Sequence, residues 1–254
     1  MENNKKYWDS IADIYQDITH ISTNDFHFGP LVPGDKSLNV LPDDLKGMKC
    51  LEIGCGAAQN SIYLAKQGAD CTAFDISEEQ IKHAHDLMKK EGVEIQLKCT
   101  GMDHPEGITG KFDLIHSVYA ISFAEHPAEV VKFAASHLSD NGKFLLATSH
   151  PLAQGEWLDV EDEQGLFLPD YFNVPVDIRY DDDGSEEIRS VTYPVSTVAD
   201  WIYGAGMCIE RILEPVVNPT EVAHAPYYSD DWIEYLTMFS RVPSVIIFLC
   251  HMAK

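Results

Sequence analysis

The chain has 254 residues, 45% of them hydrophobic, which is enough for one large α/β domain with a sizeable core. It carries 18 lysines and arginines against 41 aspartates and glutamates, a formal net charge of −23 at pH 7. Because nucleic-acid binding depends on lysine and arginine contacts to phosphates, this balance argues against a DNA or RNA substrate.

The six cysteines form no C-x-x-C pair, and all but Cys55 fall on predicted strands. Cysteines on strands are usually reduced core residues, so the sequence predicts a cytoplasmic protein. The first residues, MENNKK, lack the apolar stretch of a secretion signal, and no apolar run reaches membrane-spanning length. No membrane partner and no metal site are therefore predicted.

The first 45 residues are predicted to form an N-terminal cap. Apolar residues recur at helical spacing over residues 5–18, which indicates an amphipathic helix. Residues 20–35 are rich in glycine, proline and asparagine and are predicted to form a loop. The loop contains His27-Phe28-Gly29-Pro30. This segment resembles a stretch that lies ahead of the core in many uncharacterised bacterial and archaeal methyltransferases, and the resemblance implies a pocket wall.

Residues 48–76 form the central motif of the chain. Met48–Ile53 is an apolar strand broken by Gly54, residues 57–67 have helix-forming character, and residues 69–74 form a second strand that ends at Asp75. This is one βαβ unit. Glycines in its turn let a ligand approach the backbone, and an acid ending the second strand can accept both hydroxyls of a ribose. The unit is predicted to bind a cofactor that carries a nucleoside.

Two residues in the turn decide which cofactor is expected. The third glycine of the dinucleotide fingerprint is replaced by Gln59, so that fingerprint is broken. An acid, Glu52, lies two residues before the first glycine. The stretch LEIGCG closely resembles the first motif of class I S-adenosylmethionine-dependent methyltransferases. That family often has a third glycine where this chain has Ala58.

The resemblance implies roles for particular residues. Glu52 would help to hold the amino-acid end of the cofactor, and Gly54-Cys55-Gly56 would lie beside its methionine part. Asp75 would hold the ribose. In many members a leading helix closes over the cofactor with aromatic hydroxyls near its carboxylate, and Tyr7 and Tyr15 are the candidates here.

The same resemblance places the adenine ring. Ile76 follows the ribose acid, where the family has an apolar side chain against adenine. Asp103 and Met102 follow the third strand, residues 95–99, and match positions that contact the adenine amino group and ring. A helix is predicted between Ile76 and the third strand. A capping box, Ser77 to Gln80, places its start at Ser77, and it runs to about Glu91.

The next two strands are expected to bring the reacting groups together. Phe112 opens the fourth strand, which runs to Val118, and a helix then begins at Pro127 and reaches Leu138. Residues 140–142 are predicted to turn the chain into a fifth strand, residues 143–149. Because ligands of open α/β sheets bind at the carboxyl ends of strands, Ser117, Tyr119 and His150 should lie over the methyl group or the acceptor.

Two insertions interrupt the end of the chain, at 151–194 and 215–242. Both are rich in aromatic residues, and both join the chain after strand five or six, near the carboxyl edge of the sheet. They are expected to form a lid and most of the acceptor pocket. A helix at 197–205 and strands at 208–213 and 243–252 complete a single domain, 1–254. By the resemblance, the seventh strand lies antiparallel between strands five and six.

The sequence therefore predicts a Rossmann-like, seven-stranded, mostly parallel sheet with helices on both faces. The expected activity is S-adenosylmethionine-dependent methyl transfer to a small-molecule acceptor by in-line displacement. His150 or His27 would act as a base or orient the acceptor, with help from Tyr119. A cofactor-binding protein without transfer activity and an NAD-dependent oxidoreductase remain alternatives. The acceptor, the methylated atom and the oligomeric state stay open.

Overall fold

Seven strands form one sheet in the computed structural model, which describes residues 2–161, 163–180 and 183–253. The strands are β1 Lys49–Ile53, β2 Asp70–Asp75, β3 Gln96–Cys99, β4 Phe112–Val118, β5 Leu138–Ser149, β6 Met207–Leu213 and β7 Val245–Met252. Their order is β6-β7-β5-β4-β1-β2-β3, and only β7 runs antiparallel to its neighbours. The predicted sheet, including the inserted antiparallel seventh strand, is confirmed.

Helices cover both faces of this sheet. They are α1 Glu2–Ile18, α2 Asp35–Leu38, α3 Gln59–Lys66, α4 Glu78–Glu91, α5 Pro127–His137, α6 Val195–Gly204 and α7 Leu236–Phe239. One core cluster includes the buried faces of α3 and α4, and a second cluster includes those of α5 and α6. Among the described residues no helix has both the length and the apolar character to cross a membrane.

The ends of α4 and the start of α5 follow from local sequence. The Ser77 side chain accepts a hydrogen bond from the backbone N–H of Gln80 at 3.1 Å, which caps α4 as predicted. The helix ends at Gly92, whose φ of 70° is the left-handed conformation that glycine adopts without strain. Pro127 occupies the first turn of α5, where its missing N–H costs nothing.

The predicted turn at 140–142 is wrong, because β5 runs without interruption through it. The pairing of β4 with β5 changes register between Phe112 and Leu114, opposite this stretch. A Cβ atom on Gly142 would lie 2.7 Å from the Phe112 carbonyl oxygen, so the two strands approach closely at this point. The glycine therefore permits a bulge that keeps the chain extended.

The two insertions are only partly what the sequence led us to expect. The segment 151–194 forms two hairpins, Glu156–Val160 with Glu163–Phe167 and Asp177–Tyr180 with Glu186–Ser190. The second hairpin packs on α1: Asn3 donates a hydrogen bond to the Glu186 carbonyl at 3.0 Å, and Arg179 donates one to the Tyr7 hydroxyl. In the segment 215–242, the short strand Tyr227–Tyr228 pairs with His20–Ile21.

Candidate functional site

A cavity opens at the carboxyl ends of β1, β2 and β4 and extends beneath α1. It encloses ≈ 950 Å³, counting the space open to solvent. Its wall is mostly apolar or hydroxyl-bearing, and among the described residues it contains no lysine or arginine. The predicted residues that line it are Tyr15, His27, Glu52, Gly54, Cys55, Gly56, Asp75, Ile76, Met102, Asp103 and Tyr119.

The turn after β1 forms the floor of the cavity. Gly54 and Gly56 have φ values of 70° and 52°, and Ala58, which precedes α3, has a φ of 59°. A Cβ on Gly54 would lie 2.4 Å from the Cβ of Ala120, so only glycine fits there. The left-handed conformation of Ala58 shows why a glycine would also suit that position.

Asp75 lies at the end of β2, and backbone hydrogen bonds fix its carboxyl group. One oxygen accepts from the N–H of Gly56 at 2.9 Å and the other from the N–H of Ser77 at 3.0 Å. Burial raises the pKa of Asp75, although these hydrogen bonds act in the opposite direction. Asp75 is thus an acceptor whose position is set by the glycine turn itself.

Glu52 lies beneath the same turn and is 4% exposed. One oxygen of its carboxyl group accepts from both the N–H and the hydroxyl of Ser61, at 3.0 and 2.5 Å. The other oxygen is 3.9 Å from Nδ1 of the buried His116. Burial raises the pKa of Glu52 to about 8. A positive charge in the cavity would favour its ionised form.

The far end of the cavity is apolar, with one acid at its rim. Ile76 and Met102 line it, together with Trp8 of α1 and Phe123, whose ring centroids are 5.2 Å apart. Asp103 also lines this end, and its carboxylate accepts from the backbone N–H groups of residues 125 and 126, at 3.2 and 2.7 Å. The sequence placed Trp8 on an amphipathic helix but did not indicate a role for it or for Phe123.

The opposite end of the cavity carries three tyrosines and a histidine from distant parts of the chain. The hydroxyl groups of Tyr15 and Tyr227 are hydrogen-bonded to each other, and the ring of His27 meets that of Tyr227 edge-on at 5.0 Å. Burial raises the pKa of Tyr15 to about 12 and also raises those of Tyr119 and Tyr227. All three phenols are therefore neutral at pH 7, and sequence reasoning did not single out Tyr227.

Tyr119 is held in an unusual backbone conformation just beyond β4. Its φ is 58°, rare for a side chain other than glycine, and its hydroxyl donates to the Ser244 carbonyl at 3.3 Å. Its ring lies against Gly29, where an added Cβ would be 2.5 Å from the Tyr119 Cε2 atom. The glycine of the His27-Phe28-Gly29-Pro30 segment is thus required by the tyrosine.

His27 is fixed by a side chain of α3. Its backbone N–H donates to the Asn60 side chain at 2.9 Å, and the Asn60 amide donates to the His27 carbonyl at 3.0 Å. The imidazole lines the cavity, and its buried Nδ1 atom has no hydrogen-bond partner among the described residues. Burial lowers the pKa of His27 to about 3, so the ring is neutral at pH 7.

His150, the first candidate for a catalytic base, does not line the cavity. Its Nδ1 atom accepts from the backbone N–H of Leu152 at 3.1 Å, and its Nε2 atom is 3.0 Å from a carboxylate oxygen of Glu214. One ring nitrogen therefore caps the turn that follows β5, and the other lies against Glu214. The structure thus places His150 outside the wall of the cavity that the sequence led us to expect it to face.

Two other predicted residues also lie away from the cavity wall. The Ser117 hydroxyl donates to the Ile53 carbonyl at 3.1 Å and so links β4 to β1. The Tyr7 hydroxyl accepts from Arg179 of the second hairpin. No described residue of the segment 151–194 lines the cavity, and the segment 215–242 contributes only Tyr227. The insertions thus contribute little to the wall of this cavity, where α1 and the loop at His27 lie instead.

Comparison with known proteins agrees with this fold. The sequence model of the family described as "Methyltransferase domain" matches residues 27–174, more than half of the chain. The ubiquinone biosynthesis O-methyltransferase of Xanthomonas euvesicatoria is 28% identical over 106 residues, which are 41% of this chain and 44% of that protein. Its Coxiella burnetii counterpart is 29% identical over 104 residues, again 41% and 44%. The chain thus spans less than half the length of the curated relatives it matches.

Solved structures give the same architecture over most of the chain. An S-adenosylmethionine-dependent methyltransferase from Mesorhizobium loti superposes with a TM-score of 0.67 at 19% identity, covering 85% of this chain and 95% of that one. A putative S-adenosylmethionine-dependent methyltransferase from Listeria monocytogenes superposes with a TM-score of 0.66 at 20% identity, again covering 85% of this chain and 95% of that one. At these identities the similarity establishes the fold alone.

Proposed function

Because the chain belongs to the methyltransferase-domain family, we propose that it transfers the methyl group of S-adenosylmethionine to a small-molecule acceptor. The observation that carries this proposal is the unit formed by Gly54, Gly56 and Asp75. A turn that excludes a Cβ lies beside the half-buried carboxyl group of Asp75, and the backbone N–H of Gly56 in that turn donates to one of its oxygens. This is the arrangement that a ribose-bearing cofactor requires.

The rest of the cavity fits the same cofactor. Ile76, Met102 and Trp8 provide an apolar slot for the adenine ring, with Asp103 at its rim for the amino group. Glu52 lies at the amino-acid end, where an ammonium group would stabilise its ionised form. Since no lysine or arginine is present among the described wall residues, neutral donors must bind the cofactor carboxylate.

Two glutamines at this end are the proposed donors. Gln16 of α1 and Gln59 of α3 both line the cavity, and the Gln59 amide donates to the Gln16 side-chain oxygen at 2.9 Å. Side-chain amides donate two hydrogen bonds each, so one N–H of each remains for a carboxylate. Gln59, which breaks the dinucleotide fingerprint, would thereby serve this cofactor.

When bound in this cavity, S-adenosylmethionine supplies a methyl group on a positively charged sulfur. Residues of the chain align the acceptor with it and exclude water. His27 is neutral at pH 7 and can accept a hydrogen bond or a proton from the acceptor. Its low pKa makes it a weak base, which favours an acceptor whose hydroxyl is already acidic or reactive. Tyr119 and the pair Tyr15–Tyr227 orient that group.

The proposal also covers the acceptor, its reacting group and the cellular compartment. The acceptor is a small molecule rather than a nucleic acid, supported by the net charge of −23 and by a cavity wall without cations among its described residues. Its reacting group is a hydroxyl, which the naming of the relatives as O-methyltransferases supports. The protein acts in the cytoplasm, as six free cysteines suggest.

The proposal is tested by incubating the protein with S-adenosylmethionine labelled on its methyl group and a fractionated cell extract. Label should appear in a small molecule and should not appear when the Asp75→Ala variant replaces the wild type. If the wild type binds S-adenosylhomocysteine but no fraction accepts label, the chain is a cofactor-binding protein without transfer activity.

A further inference from the structure

A second concavity lies outside the wall that closes the acceptor end of the cavity. It encloses ≈ 1590 Å³, counting the space open to solvent, and we call it the outer groove. It shares Gln16, Ile21 and Gln59 with the cavity wall. Because the same residues line both, a single layer of protein separates the two spaces.

Much of that layer is the short ladder between His20–Ile21 and Tyr227–Tyr228. Ile21 pairs with Tyr227, and His20 pairs with Tyr228. Successive side chains of a strand point to opposite faces. Accordingly Tyr227 lines only the cavity, whereas His20 and Tyr228 line only the outer groove, with their rings stacked at 6.3 Å. Ile21 lies at the boundary and lines both.

The remainder of the layer consists of side-chain amides. Gln59 donates to Gln16 at 2.9 Å, and Gln16 donates to Gln80 at 2.9 Å. All three side chains line the cavity, and the first two also line the groove. Because these hydrogen bonds join side chains only, Gln16 can rotate about its side-chain torsions without disturbing the backbone of α1.

The outer groove gathers one lysine and two histidines on a chain that is otherwise strongly acidic. Lys36, His20 and His224 line it with exposed side chains, and none has an ion-pair or side-chain hydrogen-bond partner among the described residues. Asp25 is the only acid among the described residues of the groove, and its carboxylate accepts from the backbone N–H of Lys36 at 3.1 Å. The Lys36 ammonium group and the N–H groups of the two imidazole rings can all donate hydrogen bonds to an anion.

We propose that the outer groove binds an anionic group of the methyl acceptor, a carboxylate or a phosphate, through Lys36, His20 and His224. The inference rests on the proposed function. The uncharged, reacting end of the acceptor then extends past Gln16 to His27, with the ladder between the two ends. Such a site selects molecules that carry their negative charge at a distance from the hydroxyl that is methylated.

The test uses the full chain saturated with S-adenosylhomocysteine and two probes, inorganic phosphate and acetate. The ring protons of His20 and His224 are assigned by NMR with the variants His20→Gln and His224→Gln, and each probe is then titrated. Both signals should shift and saturate. Lys36→Gln should weaken binding about fivefold, the scale of an exposed ion pair. Lys98→Gln, an exposed lysine outside the groove, should leave it unchanged.

The outcomes separate the two levels of the proposal. Saturation by phosphate alone assigns a phosphate group, and saturation by both probes assigns a site for either anion. Shifts that do not saturate, or that are equal at the exposed His85, overturn the groove as a site. So does an unchanged affinity in Lys36→Gln. Calorimetry with S-adenosylhomocysteine runs in parallel, because failure of the wild type to bind it would overturn the proposed function instead.

Discussion

The two ends of the cavity are built in different ways. At the proposed cofactor end, Glu52, Gly54, Gly56 and Asp75 come from one continuous βαβ unit, and hydrogen bonds within that unit fix them. At the proposed acceptor end, Tyr15, His27, Tyr119 and Tyr227 come from four separate segments. The first end is a local motif, whereas the second exists only after the chain has folded.

This difference predicts how each end responds to substitution. Changes at the cofactor end should alter the affinity for the cofactor and leave the rest of the cavity in place. Changes at the acceptor end should alter turnover or the packing of distant segments, with the affinity for the cofactor retained. The following variants test this difference between the two ends.

The largest effect on turnover is expected for His27. Once an acceptor is found, His27→Ala should lower turnover by about 10²-fold, the lower end of the range for general-base help. Its affinity for S-adenosylhomocysteine should hold. Because the pKa of His27 is lowered to about 3, wild-type turnover should show no decline from this residue between about pH 5 and pH 8. If wild-type turnover fell below about pH 6.5 and this fall were absent in His27→Ala, the burial of this ring would be contradicted.

The packing of Gly29 against Tyr119 gives the next largest effect. Gly29→Ala should lower the free energy of unfolding by about 2 kcal/mol more than Gly47→Ala, because only the former meets a tyrosine ring. Gly47 also has a positive φ, but nothing lies within 4 Å of an added Cβ there. Urea denaturation measures both. Equal losses in the two variants would mean that the ring moves freely.

A pH effect on stability is expected from His116, which joins the two ends of the cavity. It is fully buried between Glu52 and Phe26, whose ring centroid is 5.1 Å away, and burial lowers its pKa to about 3. As the pH falls below about 6.5, His116 becomes protonated in the unfolded chain but stays neutral in the folded chain. Folded-state stability is therefore lost on the acid side.

The wild type should lose about 2 kcal/mol relative to His116→Phe between pH 7 and pH 5. Shifts of groups that do not contact His116 occur in both proteins and largely cancel in the comparison. Denaturation curves at the two pH values give the difference. Parallel losses in the two proteins would show that His116 is protonated in the folded state.

The smallest effect is expected for His150. His150→Gln should leave turnover close to that of the wild type, because the ring caps the turn after β5 and does not line the cavity. Any loss should appear in the free energy of unfolding. A fall in turnover as large as that of His27→Ala would restore His150 as a catalytic residue.

The contrast between the two ends also explains what the sequence could predict. The order of strands and the residues of the cofactor end follow from a short motif whose glycines and acid have fixed roles. His150 was misplaced because a position after a strand does not determine where its side chain points, and here two hydrogen bonds turn it away. Tyr227 was missed because its role depends on pairing with His20–Ile21, some two hundred residues earlier in the chain. A long-range pairing of two residues leaves no periodic pattern.

The proposed function depends on binding of S-adenosylmethionine by the unit of Gly54, Gly56 and Asp75. Calorimetry with S-adenosylhomocysteine tests it most directly, with Asp75→Ala and, as a matched control, Asp140→Ala, an exposed aspartate outside the cavity. Hydrogen bonds to a charged group contribute about 1.5–3 kcal/mol each, so losing two should weaken binding by about 100-fold or more. Asp140→Ala should bind like the wild type, and NAD should not bind. Unchanged affinity in Asp75→Ala would contradict the account.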